Sequence, residues 1–127
     1  MAASLAIVER SSRGVIEEQY AHILWLARIL CKMKGDIGVL LRGNAVQYAL
    51  ANQPSMQLII GGITLKYLLH YEDDVRALLS DGVRVYVCRE DCERLNIRTC
   101  QLIEGVTSID GSSLGRLFEE YAHIWYW

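Results

Sequence analysis

The chain has almost no net charge to offer: 13 Lys and Arg against 15 Asp and Glu leave −2 at neutral pH. Its basic residues are scattered rather than gathered into a stripe. A nucleic-acid backbone needs such a stripe to displace its counterions, so no nucleic-acid partner is expected. Long apolar runs are also missing. The longest uncharged span, Gly43 to Leu65, carries Asn44, Gln47, Asn52, Gln53, Pro54, Ser55 and Gln57, which hydrocarbon would penalise heavily. No membrane association is expected. The stretch "MAASLAIVER" lacks the positive n-region of a secretory signal and turns charged at Glu9, which predicts a soluble, cytoplasmic protein. Cysteine is sparse too: four residues are too few for a disulfide scaffold in a chain able to bury a core, and a reducing compartment leaves such thiols free. Internal repeats, low-complexity tracts and linkers are absent.

What is present is the material of a core. The 127 residues are 52% hydrophobic with a mean hydropathy of +0.16, which predicts one compact domain over residues 1–127. Short apolar runs alternate with amphipathic stretches, the pattern of a parallel sheet covered by helices on both faces. "SLAIVE" (4–9) and "DIGVLLR" (36–42) read as strands. Between them Val15, Ile16, Tyr20, Ile23, Leu24, Ala27, Leu30 and Cys31 recur at helical spacing, predicting a helix over 14–33 that stops at Gly35. A short helix is expected over 44–52, and one or two helices from Ile63 to Ser80, with Gly82 in the turn beyond. The Gly61-Gly62 pair keeps any strand through "QLII" short. "VRVYV" (83–87) is the clearest strand and runs into a short charged helix, "CREDCERLN". "QLIEGV" (101–106) reads as a further strand, "SSLGRLFEEYA" (112–122) as a helix and "HIWYW" (123–127) as a closing strand. The order predicts an α/β, flavodoxin-like three-layer sandwich with a mainly parallel sheet.

Reactive sites in such sheets lie beyond the carboxyl ends of the strands. After the first strand, Ser11, Ser12, Arg13 and Gly14 lead into a helix and could cradle a phosphate, although flavodoxin's T-x-T-G pattern is missing and helix capping by Ser12 explains the same residues. No strand end supplies the aspartate a phosphorylated receiver would need. Cys88, Cys92 and Cys100 with His70 or His123 could in principle assemble four metal ligands, and Cys88-x₃-Cys92 has acceptable spacing. No second close pair exists, and the three histidines (22, 70 and 123) are dispersed, so no metal is expected. There is no C-x-x-C dithiol either. Cys88 remains as the candidate working thiol, because a cysteine between a strand and a helix gains from backbone N–H groups and the helix dipole. Arg89 and Arg94 add to that effect while Glu90, Asp91 and Glu93 oppose it, so the sign of the perturbation is open at this level. Such a thiol is expected to alkylate before the others. Cys92 and Cys31 read as core, and Cys100 as a surface thiol without activation.

Four segments, in order, resemble the DsrE/DsrF/DsrH group, which includes the sulfur-relay subunits TusB, TusC and TusD. "AIVERSS" resembles the first strand and loop of the DsrH/TusB branch. "LLRGNAVQYAL" is similar to the family's apolar run followed by G-x-x-V and a helix. "VYVCREDCERLNI" resembles the V-Y-x-x-x-E-D-x-x-x-R-G-[ILV] segment, with "LNI" at 95–97 replacing R-G-[ILV]; Asn96 can take the left-handed geometry of the missing glycine. "SIDGSSLGRLFEEYAHIWYW" resembles the DsrH/TusB ending, with its final Trp127. The resemblance implies the same sandwich. DsrE/TusD members carry sulfur as a cysteine persulfide, TusB-like partners generally lack that cysteine, and Cys88 falls where the carrier would sit. The implied function is a sulfurtransferase-type relay, with Cys88 carrying sulfane sulfur between donor and acceptor proteins and no cofactor. Itself or DsrE-family subunits would be partners in an oligomer. The alternatives are a non-catalytic structural subunit of such an oligomer, with all four cysteines structural, and a small-ligand binding domain using Ser11 to Gly14. Residues 63–71 and the aromatic "HIWYW" offer more apolar surface than one small core can absorb, and are the expected interface.

Overall fold

A computed structural model describes residues 3–9, 23–53, 58–65 and 71–126. Among these, five strands form an all-parallel sheet: β1 (Ser4–Val8), β2 (Ile37–Leu41), β5 (Arg84–Cys88), β6 (Thr107–Ile109) and β7 (His123–Tyr126). A separate antiparallel pair, β3 (Leu58–Ile60) and β4 (Ile63–Leu65), makes a hairpin. The helices are α1 (Ile23–Lys32), α2 (Tyr71–Ser80), α3 (Arg89–Arg94) and α4 (Leu114–Glu119), with 3₁₀ turns at Gly43–Ala49, Thr99–Gln101 and Gly111–Ser113. The large sheet runs β6-β5-β2-β1-β7. The chain builds outward from β1 to β6 and then returns to pair β7 on the other side of β1.

Alternation along the strands divides the core in two. Ala6, Val8, Val39, Leu41, Val85 and Val87 pack with Leu24 and Ala27 of α1, Val75 and Leu78 of α2, and Cys92 of α3. Leu5, Ile7, Leu40 and Tyr86 face Leu117 and Tyr121 on the other side, with Leu114 and Phe118 of α4 against them. This is the layered, mostly parallel α/β architecture the sequence predicts. Gly38 of β2 is fixed by this second face: a Cβ there would collide with the Tyr121 hydroxyl.

Three helix ends close in the same way, each with one left-handed residue and paired backbone bonds to the last turn. Gly82 (φ 85) follows α2, and Asn96 (φ 58) follows α3 in the role expected of it. After α1 the left-handed residue is Lys34 (φ 65) rather than Gly35. Gly35 serves a different need, since a Cβ there would come within 2.8 Å of the Leu30 carbonyl oxygen.

The structure corrects several local expectations. The helix expected over 14–33 is seen only from residue 23, its first part lying outside the described residues. Residues 44–52 are not an α-helix; the turn there is 3₁₀ and ends at Ala49. Residues 63–65 are strand, because Gly61 (φ 55) and Gly62 (φ 81) form a two-residue turn with both φ values positive, the geometry that closes a hairpin. The strand expected over 101–106 is displaced to Thr107–Ile109. The backbone of 101–103 instead bonds that of 49–51, through Ala51 N–H to Gln101 O at 2.8 Å and Ile103 N–H to Ala49 O at 2.8 Å, and Gly105 (φ 101) turns the chain before the sheet is reached. Tyr71, read as interface, is buried and stacks on Tyr48 with ring centroids 4.2 Å apart.

Candidate functional site

The carboxyl ends of four adjacent strands converge on one edge of the sheet. At the ends of β1 and β2, Glu9 and Arg42 form an ion pair at 3.5 Å. Gly43, left-handed at φ 55, donates its N–H to Asp91 Oδ2 at 2.8 Å, which ties the β2 loop to α3. Cys88 is the last residue of β5 and stands beside Ile109, its register partner in β6. Beyond β6, Asp110 caps the next turn: its carboxylate accepts from the Ser112 hydroxyl at 2.6 Å and from Ser113 N–H at 3.1 Å. These bonds hold its carboxyl below the usual range, with Arg89 adding its charge from 3.7 Å.

Cys88 sits where the strand-to-helix reading placed it, and its environment settles the sign left open by the sequence. Cys88 is only 6% exposed. Burial raises its pKa above the ordinary thiol value, the Glu90 and Asp91 carboxylates push the same way, and the Asp91 backbone N–H opposes them. The helix that follows has six residues, too short to supply much dipole. The Cys88 S–H points to Glu90 Oε2 at 3.4 Å. Glu90 is held in turn by Gly111, whose N–H reaches both carboxylate oxygens at 2.9 and 3.0 Å, and this bond above all keeps the Glu90 carboxyl below its usual range. Sequence reasoning had counted Glu90 only as an opposing charge. Its contact with Gly111 is long-range and carries no local signal.

The remaining cysteines separate from Cys88. Cys92 turns into the larger core, with Leu95 packed against the same cluster, and burial pushes its thiol up to about 11. Cys31 is partly buried against that cluster, its Sγ 3.6 Å from the Asp81 carbonyl oxygen. Cys100 is exposed. Exposure therefore favours Cys100 over Cys88 for first alkylation, against the order expected from sequence. All four cysteines are free, and no group of three or more His, Cys, Asp or Glu among the described residues could hold a metal ion. Ser11 to Gly14, His22 and His70 lie outside the described residues. No described helix is long and apolar enough to cross a membrane.

No family model and no curated protein matches this chain. Solved structures do. The ychN protein from E. coli superposes with a TM-score of 0.80 at 19% identity over 100% of both chains. BT1422 from Bacteroides thetaiotaomicron, a conserved protein of unknown function, gives 0.66 at 14% identity, covering 98% of this chain and 94% of that one. MTH1491 from Methanobacterium thermoautotrophicum, also of unknown function, gives 0.61 at 18% identity and 96% coverage of each chain. These likenesses bear out the layered, mostly parallel α/β fold and speak to the fold alone.

Proposed function

We propose that this protein is a sulfur-relay protein working as one domain over residues 1–127, with Cys88 carrying sulfane sulfur between a donor and an acceptor protein in the cytoplasm. The observation that carries the reading is the place of Cys88: a free thiol closing β5 at the carboxyl edge of a DsrE-like sheet, where the sequence resemblance puts the carrier. The chemistry needs no cofactor. The Cys88 thiolate attacks the outer sulfur of a donor persulfide; a bond forms between Sγ and that sulfur, and the donor's S–S bond breaks. The bonding pair leaves on the donor thiolate, which takes up a proton, so one persulfide replaces another with no net oxidation. Transfer to the acceptor repeats the exchange in reverse.

The buried, proton-holding state of Cys88 favours a second reading, a structural subunit whose thiols do no chemistry. One experiment separates the two. Incubation with a small persulfide donor is expected to add about 32 Da per sulfur at Cys88, and a Cys88→Ser variant to fold and lose the adduct. Equal loading of that variant removes Cys88 as the carrier, and no loading of either protein supports the structural subunit instead. Self-association belongs to the proposal. Ile59, Ile60 and Ile63 at the hairpin tip are 68%, 58% and 67% exposed, and Ile124, Trp125 and Tyr126 of edge strand β7 are 45%, 54% and 63% exposed, a large apolar area for a monomer.

A further inference from the structure

Cys88 is joined to the loop beyond β6 through a single side chain, Glu90. The carboxylate accepts the thiol proton at 3.4 Å on one side and the Gly111 N–H at 2.9 and 3.0 Å on the other. We infer that Glu90 is the positioning residue of the Cys88 thiol: the bridge from Sγ through Glu90 to Gly111 holds the thiol protonated and fixed in place at rest, and the nucleophile is released when the bridge opens. The inference rests on the proposed carrier role for the functional use of Cys88, but the bridge itself is a matter of geometry.

The chemistry follows from the donor and acceptor roles. A carboxylate can only accept, so its bond to sulfur exists only while the sulfur keeps its proton. Ionising Cys88 would place two negative charges 3.4 Å apart, in a site where burial already disfavours the thiolate. Gly111 matters because its N–H fixes Glu90 in that position; an untethered glutamate on an exposed helix turn would swing to water. Of the other charged groups around Cys88, Asp91 also disfavours the thiolate, but its carboxylate is tied to Gly43 N–H at 2.8 Å and lies 3.6 Å from Arg94. Arg89 stands between Glu93 and Asp110, 3.7 Å from each. Asp110 is engaged by Ser112 and Ser113, and Glu9 by Arg42. Ile109 of β6 carries no charge, and Cys92 faces the other core.

Two substitutions take the bridge apart at different points. Glu90→Gln keeps a side-chain oxygen for Gly111 and removes the charge. Gly111→Pro removes the amide donor and leaves Glu90 intact; proline is tolerated at the first position of a helical turn, the preceding Asp110 is extended at ψ 161, and a Cβ on Gly111 meets Glu90 only at ordinary contact distance, 3.7 Å. Native protein is titrated with iodoacetamide across pH, and the Cys88 peptide is followed by mass spectrometry, with circular dichroism confirming the fold. The expected result is a downward move of the Cys88 midpoint in Glu90→Gln and about two- to five-fold faster labelling at neutral pH, the gain in thiolate being partly offset by lower nucleophilicity. Gly111→Pro is expected to label faster than wild type as well. A wild-type Cys88 that is protected while Glu90→Gln reacts also supports the bridge. An unchanged or raised midpoint in Glu90→Gln, a Gly111→Pro rate equal to wild type, or a Cys88 equally protected in all three proteins overturns it. Because alkylation needs no sulfur donor, failure of persulfide loading with a shifted midpoint removes the carrier reading and leaves the bridge standing.

Discussion

Glu72 shows how much one side chain can hold at the first turn of α2. It is 7% exposed, accepts Gln53 N–H at 2.7 Å, and is gripped by Arg76 at 2.8 and 3.1 Å. The Arg76 bond above all, with the Gln53 N–H behind it, keeps its carboxyl below the usual range. A group with a depressed folded pKa stabilises above its unfolded value, about 4.3 for Glu, and that stability is lost as the pH falls through the folded pKa. Glu72→Ala is therefore expected to cost about 1–3 kcal/mol at pH 7, measured by urea unfolding, with the gap to wild type closing in acid. Arg76 is half exposed, so screening by solvent keeps the cost toward the low end of that range. At the same scale, limiting alkylation is expected to reach Cys100 first, Cys88 later, and Cys92 only on unfolding, as peptide mapping would show. The place of Cys88 was legible in the sequence because "VRVYV" is so clearly a strand. Its pKa direction was not, because that depends on burial and on the side chain of Glu90, which no spacing rule positions.

Among the elements, those with one repeated signal were readable and those decided by competing partners were not. β5 followed from the alternating valines of "VRVYV", and β1 and β2 from uninterrupted apolar runs that a doubly covered sheet requires. The hairpin escaped because its strands have three residues each, although two glycines between apolar pairs was an available sign. "QLIEGV" has strand composition, but Ile103 is buried and paired to Ala49, a distant partner that overrides local preference. The fit of Tyr121, which follows α4, against β2 yields a sharp test. Gly38→Ala drives a methyl into Tyr121, whose hydroxyl lies 3.4 Å from that of Tyr86 and whose ring carries the Arg84 guanidinium 5.5 Å from its centroid. Overpacking of this kind is expected to cost about 1–3 kcal/mol, seen as a lower midpoint in denaturant with an unchanged slope.

For the whole molecule, the layered fold was legible in the alternation of apolar runs and amphipathic stretches. The hairpin tip and β7 hold no Asp, Glu, Lys or Arg, and both present strand edges, which chains usually protect with lysine or proline. Light scattering at micromolar concentration is expected to give a mass that is a multiple of 14.4 kDa. Replacing Ile59 and Ile63 together by Lys is expected to lower that mass without loss of helix signal. A wild-type mass of one chain removes self-association from the proposal.

The pairing of β7 with β1, from Ser4 with His123 to Ile7 with Tyr126, also sets the order of events during synthesis. Strands β1, β2, β5 and β6 can be laid down in the order the ribosome delivers them, but β1 keeps one side open until β7 has emerged. Closing so wide a loop is slow, because its entropy must be lost before the contact rewards it. Until β7 arrives a nascent chain therefore displays the apolar flank of β1, a recognition surface for holding chaperones that the folded sheet no longer offers.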